Sequence, residues 1–250
     1  MHRFFIDRES ITNGIVKITG EDSKHISKVL RLHEGDIIEL CDGQGQDYEG
    51  VIKRIYGTCV EVDIEKSFPS YGEPQTKVVL YQAVPKGVKM DTIIQKCVEI
   101  GVVRIVPVIT ARTIVKLDVE RDGNKKMTRW QRIAMEAAKQ SKRGIIPQIS
   151  EPMMYDEAIQ SCPDMLRIFP WENERTLGFK DCLEAGENCR HIAVMIGPEG
   201  GWEDAEVLHA KMNGWKTVSL GPRILRTETA GMAVLAAIMF YNGEMDYPTD

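Results

Sequence analysis

From residue 76 onward the chain repeats one pattern: a short apolar run, a turn, then a stretch whose apolar residues recur at helical spacing. "KVVLYQAV" reads as a buried strand. "MDTIIQKCVEIG" follows as a helix, with Ile93, Ile94, Cys97 and Val98 on one face and Gly101 at its C-terminus. "VVRIVPVIT" is the next strand. "TRWQRIAMEAAKQSKRG" is a helix in which Thr128 and Gln131 have the spacing of a capping box. "MLRIFP", "HIAVMIG" and "KTVSLG" continue as strands, separated by "LEAGE" and the helix "EDAEVLHAKMNG", and a last apolar helix starts near Thr227. Such alternation specifies a mainly parallel α/β sheet.

The first ~70 residues read differently, as short alternating strands with turn punctuation. The candidates are "GIVKITG", "DIIELCDGQG", "YEGVIKRIYG" and "TCVEVDIEKS". One short helix, "SKHISKVLRL", interrupts them, with Ser23 as its N-cap and Val29, Leu30 and Leu32 facing inward. Several short strands at this spacing predict a small β-barrel. "SFPSYGEPQ", residues 67–75, is rich in Pro, Gly and Ser and reads as the linker between the two parts.

Composition narrows the class. The longest apolar run, Ala230 to Tyr241, is about half of the ~20 residues a spanning helix needs. "MHRFFIDRES" lacks the apolar stretch of a signal peptide, so the expected location is the cytoplasm. Cysteines 41, 59, 97, 162, 182 and 189 form no CxxC pair and no cluster with the histidines, so reduced thiols and no metal are expected. The net charge is −5, but residues 86–148 hold 14 Lys and Arg against 6 Asp and Glu. A basic stripe on an acidic body suits contact with a polyanion; a solvated helix face explains the charge count equally well.

Open α/β sheets place ligands beyond the carboxyl ends of their strands. Three such ends stand out: "FPWENE", "IGPEGGW" and "LGPRILRTETA". Two carry a Gly-Pro pair directly after an apolar strand, and Gly197, Gly200 and Gly201 permit close approach of a ligand to the backbone. Neither turn is a P-loop or a dinucleotide fingerprint. Glu199, Glu203, Asp204 and Glu206 near a helix start would repel a phosphate and tolerate a neutral or cationic ligand, a sulfonium such as S-adenosylmethionine among them.

"IGPEGGW", "SLGPRILRTETA", "YQAVPKGVKMDTIIQKCVEIGV" and the opening "MHRFF" resemble the bacterial RsmE family, 16S ribosomal RNA (uracil-N3)-methyltransferases of the SPOUT superfamily. The likeness runs in order from the N-terminus to the last helix. It implies a PUA-like RNA-binding barrel over residues 1–72 and a methyltransferase domain over 73–250 whose parallel sheet ends in a trefoil knot. It implies S-adenosylmethionine as cofactor, held by Phe169, Ile196, Gly197, Gly200, Leu220, Gly221, Ile224 and Leu225. It also implies a homodimer with the active site near the subunit interface, the last helix with Met232, Leu235 and Met239 packing there or in the core, and 16S rRNA or the small ribosomal subunit as partner.

The charged cluster at the mouth of the last helix then has a role. Uracil N3 is a poor nucleophile until it loses its proton, and the resulting charge on O2 and O4 calls for a positioned cation. Arg226 is the candidate catalytic cation, and Glu228 the group that orients it, accepts the proton or caps the helix, the first being favoured. Arg223 reads as an RNA or partner-subunit contact. Arg112, Lys116, Arg129, Arg132, Lys139, Lys142 and Arg143 are the candidate phosphate contacts of the stripe, with His2, Arg3 and Arg31 from the N-terminal part. The alternatives are a SPOUT methyltransferase acting on another RNA and a non-catalytic rRNA-binding assembly factor.

Overall fold

The computed structural model describes residues 2–113, 123–186 and 189–246, and divides them into two compact units. Among the described residues no helix is long and apolar enough to cross a membrane. The first unit comprises residues 1–73 and 138–146. Its strands are β1 (Arg3–Phe5), β2 (Ile15–Thr19), β3 (Ile37–Cys41), β4 (Gln46–Tyr56) and β5 (Cys59–Pro69). They form one sheet in the order β1-β3-β4-β5-β2, antiparallel except for β1 against β3. That order leaves β1 and β2 as edges, so the expected barrel is half of one. Alternation decides the inner face: Val16 and Ile18, Ile38 and Leu40, Val60 and Val62 are buried together with Phe4, Ile26 and Ile52.

Helix α1 (Gly20–Lys24) runs on into a wide π turn over His25–Val29. Ser23 lies inside it instead of capping it, and its hydroxyl donates to the carbonyls of Gly20 and Thr58. The change of pitch also corrects the expected face. Ile26 is the residue driven into the core and Val29 points to solvent, while Leu30 and Leu32 are half-buried against the sheet.

The second unit, residues 74–137 and 147–250, begins with β6 (Lys77–Ala83), α2 (Lys89–Ile100) and β7 (Arg104–Ile109). It continues with α3 (Gly123–Gln140), whose last residues belong to the first unit, then β8 (Gln148–Ile149), β9 (Met153–Met154) and α4 (Tyr155–Gln160). The remaining elements are β10 (Leu166–Pro170), α5 (Phe179–Glu184), β11 (His191–Ile196), α6 (Asp204–Met212), β12 (Lys216–Val218) and α7 (Thr227–Tyr241). All strand pairs are parallel, in the order β12-β10-β11-β6-β7-β8, with β9 also on β7. The parallel α/β expectation is met.

Helix α2 buries Ile93, Ile94, Cys97 and Val98, as the spacing predicts, and ends at Gly101 with φ of 120°. Helix α3 starts five residues before Thr128, so the expected capping box is interior to it. Gln131 instead donates from Nε2 to the Pro147 carbonyl at 3.1 Å and accepts from the Ile149 N–H at 3.0 Å, anchoring β8. In α7, Leu235 and Met239 are core residues and Met232 is half-buried. All six cysteines are free thiols, four of them buried.

Candidate active site

The turns that follow β10, β11 and β12 meet the start of α7 around a cavity of about 990 Å3. Its wall runs from Pro170 to Asn173, from Ile196 to Trp202 and from Ser219 to Thr227, with Lys89, Arg175 and Ala230 completing it. Of the residues expected to hold a cofactor, Ile196, Gly197, Gly200, Leu220, Gly221, Ile224 and Leu225 line this cavity. Phe169 does not. It is fully buried one layer beneath, where its ring lies 4.5 Å from that of Trp202.

Trp202 explains why residue 197 is a glycine. A Cβ there would stand 2.9 Å from Cε2 and Nε1 of the Trp202 ring, which is buried and donates from Nε1 to the Pro170 carbonyl at 3.3 Å. Gly221 is a glycine for another reason: φ is 93°, with open space where a side chain would begin. Such a backbone disfavours any L side chain. Ile224, 86% exposed, presents an apolar surface at the rim that only a ligand or a partner would cover.

Buried polar groups hold the turns in place. Gln82, fully buried, donates from Nε2 to Thr227 Oγ1 at 3.0 Å, and that hydroxyl donates to the Gly197 carbonyl at 2.6 Å. The start of α7 is thereby tied to the turn after β11. Glu174 fastens the turn after β10, accepting from the hydroxyls of Thr176 and Thr217 at 2.6 Å each and from the N–H groups of Arg175 and Thr176. These bonds, the Thr176 hydroxyl foremost, hold its carboxyl down at about 2.

The carboxylates of "GPEGGWEDAE" do not act as a group. Glu203 and Glu206 form a reciprocal capping box at the start of α6, and Glu206 also accepts from the Ala111 N–H at 3.0 Å. Of the four, only Glu199 lines the cavity, joined there by Glu172. The expected repulsion of phosphate by four carboxylates is therefore corrected: at the cavity wall Glu172 and Glu199 face an excess of cations, Lys89, Arg175, Arg223 and Arg226.

Arg226 is exposed at the cavity wall and is the N-cap residue of α7, with no side-chain capping bond. Glu228, in the first turn, has its Oε2 3.3 Å from Lys89 Nζ. Its carboxyl lies below the ordinary range because its own backbone N–H, the Lys89 ammonium and the charge of Arg226 outweigh the opposing effect of burial. Glu228 thus has Lys89 as its ion-pair partner and feels Arg226 only through space. Lys89, Gln82 and Glu174 were not singled out from the sequence. The one signal for Gln82 was a polar residue in the middle of an apolar strand.

The expected RNA contacts divide. Arg3 is buried, donating to both carboxylate oxygens of Asp47 at 2.8 and 2.7 Å, to Glu39, and to the Arg143 carbonyl. Arg143 is buried too and pairs with Glu73 at 2.8 Å. Neither presents its guanidinium to solvent, so both are corrected from phosphate contacts to internal ties. Lys139 pairs with Asp22 at 2.8 Å and lies over the Phe4 ring, while Arg129 pairs with Asp91. Arg112 donates to the Gly200 carbonyl at 2.7 Å and so braces the glycine turn. His2, Arg31, Arg132, Lys142 and Arg223 are exposed, and Lys116 lies outside the described residues.

A parallel sheet whose carboxyl-end turns enclose such a cavity, in a chain that also carries a separate five-stranded unit, defines the class. The RNA methyltransferase domain model matches residues 72–239, and the RNA methyltransferase PUA domain model matches residues 18–62. The ribosomal RNA small subunit methyltransferase E of Bacillus subtilis is 33% identical over 248 residues, covering 96% of both chains. That of Synechocystis is 31% identical over 95% of this chain and 77% of its own. The crystal structure of the Neisseria gonorrhoeae enzyme bound to S-adenosylmethionine superposes with a TM-score of 0.85 at 31% identity, covering 96% of this chain and 98% of that one. The chain belongs to the ribosomal RNA small subunit methyltransferase E family.

Proposed function

We propose that this chain methylates N3 of a uridine in small-subunit ribosomal RNA, using S-adenosylmethionine. The observation that carries the reading is the cavity itself: two Gly-Pro turns and the start of α7 enclose it, with Arg223 and Arg226 at its wall. Its volume suits a cofactor of this size. Its chemistry fits as well, since the glycine turns bring the backbone to the cavity wall between the apolar side chains of Ile196, Leu220, Ile224 and Leu225. Those residues, with Gly197, Gly200 and Gly221, would hold the cofactor, and Phe169 would support them through Trp202. When bound, S-adenosylmethionine supplies an electrophilic methyl group.

The chain's own work is to make the uracil nucleophilic and to hold it. Arg226 offers a cation to O2 or O4 as N3 loses its proton, which lowers the cost of the anion. Glu228, kept ionised by Lys89 and by its own N–H, is a weak base for that proton and serves to fix local charge. Arg31, Arg132, Lys142 and Arg223 are the exposed cations left to meet phosphates, and the first unit adds an RNA-holding surface. We assign the PUA-like domain to residues 1–72 and the methyltransferase domain to 73–250, from which residues 138–146 cross over into the first compact unit.

The return of the chain from β12, at the sheet edge, to α7 beside α2 and β11 supports a trefoil-knotted crossing. The exposed side of α7, with Thr229, Ala233 and Phe240, supports a homodimer. The reaction belongs to the cytoplasm, where ribosomes are assembled. Isothermal titration with S-adenosylmethionine tests the reading. Saturable one-to-one binding per chain is expected, and absence of heat at millimolar ligand would overturn it.

A further inference from the structure

We propose that Lys89 is a positioning residue of the methyl-transfer site, its ammonium bridging the glycine turn after β11 to the first turn of α7 and so fixing Arg226. The inference rests on the reading of the cavity as a methylation site. Lys89 opens α2, whose buried face anchors it in the core. Its Nζ stands 3.1 Å from Glu199 Oε1 and 3.3 Å from Glu228 Oε2. Glu199 Oε1 also accepts from the Lys86 N–H at 3.1 Å, so the loop before α2 closes the same bridge.

The bridge matters because α7 begins with few restraints. Arg226 occupies the N-cap position without a side-chain capping bond, so two tethers set the direction of the first turn. One is the Thr227 hydroxyl on the Gly197 carbonyl, and the other is Lys89 on Glu228. Without the ammonium, Glu199 at the cavity wall and Glu228 in the first turn of α7 would lose the cation they share. The charged groups that face Glu228 are Lys89 from α2 and Arg226 from its own element. Glu199 is faced by Lys89, and Arg112 reaches the neighbouring Gly200 carbonyl. Burial pushes the Glu199 carboxyl up, but its own N–H, Lys89 and the Lys86 N–H outweigh this and leave it below its ordinary range. The bridge thus favours the ionised form of both carboxylates and ties the first turn of α7, whose N-cap residue is Arg226, to α2 and the glycine turn.

The test combines Lys89→Met, Lys89→Arg, Glu228→Gln and the Lys89→Met/Glu228→Gln pair, read by S-adenosylmethionine titration and by single-turnover methylation of small-subunit RNA from pH 5 to 9. Lys89→Met should slow the single-turnover rate about tenfold while weakening cofactor affinity only about threefold, as befits a partly exposed ion pair that orients a catalytic group. Its rate should also fall off at a higher pH on the acid side than wild type. Arginine should restore most of the rate. In the Glu228→Gln background the Lys89→Met effect should largely vanish, because neighbours acting through one bridge are not additive. A folded Lys89→Met with the wild-type rate and pH profile overturns the proposal, as do fully additive effects. If Lys89→Met loses its native circular dichroism, Glu199→Gln applies the same test from the other end of the bridge. Wild-type protein that neither binds cofactor nor methylates would refute the underlying reading of the cavity, a failure distinct from that of Lys89.

Discussion

Replacing Glu174 with Gln removes one negative charge from a carboxylate that is 6% exposed and accepts two hydroxyl and two backbone bonds of 2.6 to 2.9 Å. The folded pKa is depressed from 4.5 to about 2, chiefly by the Thr176 and Thr217 hydroxyls. A depressed carboxylate contributes stability that is fully present above the unfolded value and is lost as pH falls through the folded one. The contribution is therefore complete at pH 7, shrinks below about 4.5 and is gone near 2. The shift corresponds to about 3 kcal/mol, in line with the loss of charge-assisted bonds from a buried acceptor. For a chain of this length that lowers the melting temperature by roughly 5–10 °C at pH 7. Thermal melts of wild type and Glu174→Gln at pH 7, 4 and 3 should show a gap that narrows with acid. Because Glu174 ties down the turn carrying Trp171, Glu172 and Asn173, the variant should also bind S-adenosylmethionine more weakly. Equal melting temperatures at pH 7, or a gap that widens in acid, would refute the anchoring role.

Gly197→Val should cost about 1–3 kcal/mol of stability and most of the cofactor affinity, since its Cβ meets the fixed Trp202 ring at 2.9 Å; calorimetry on the folded fraction separates the two. Arg226→Ala should slow single-turnover methylation about 100-fold or more with cofactor binding unchanged, and raised pH should rescue it in part. Replacing Arg132 and Lys142 with Ala should flatten the salt dependence of RNA binding by up to about 0.7 per lost phosphate contact, and an unchanged slope would mark them as solvated surface.

The parallel sheet was legible because each long strand and helix carries its own period. Strands β1, β8 and β9 and helix α4 are too short to have one, and pass unnoticed. Capping reasoning failed at Thr128, where α3 continues upstream, and missed the box at Glu203, where the acids read as a ligand-facing cluster. The glycine turns pointed to the cavity because their residue types restrict the backbone locally. The groups that hold those turns did not reveal themselves: Gln82 with Thr227, Lys89 with Glu199 and Glu228, and Glu174 with Thr217 join residues far apart in the chain. Arg3 and Arg143 failed for the same reason. An arginine in a sequence does not disclose that Asp47 or Glu73 is waiting in the fold.

Methyl transfer to a uracil nitrogen of small-subunit ribosomal RNA leaves a product that can be read directly. Unmodified small-subunit RNA or subunits, incubated with the protein and methyl-labelled S-adenosylmethionine, can be digested to nucleosides and examined by mass spectrometry. Label is expected in 3-methyluridine, close to one per RNA molecule and strongly reduced with Arg226→Ala. Label in a 2′-O-methyl nucleoside, or no label from protein that binds both RNA and cofactor, would contradict it.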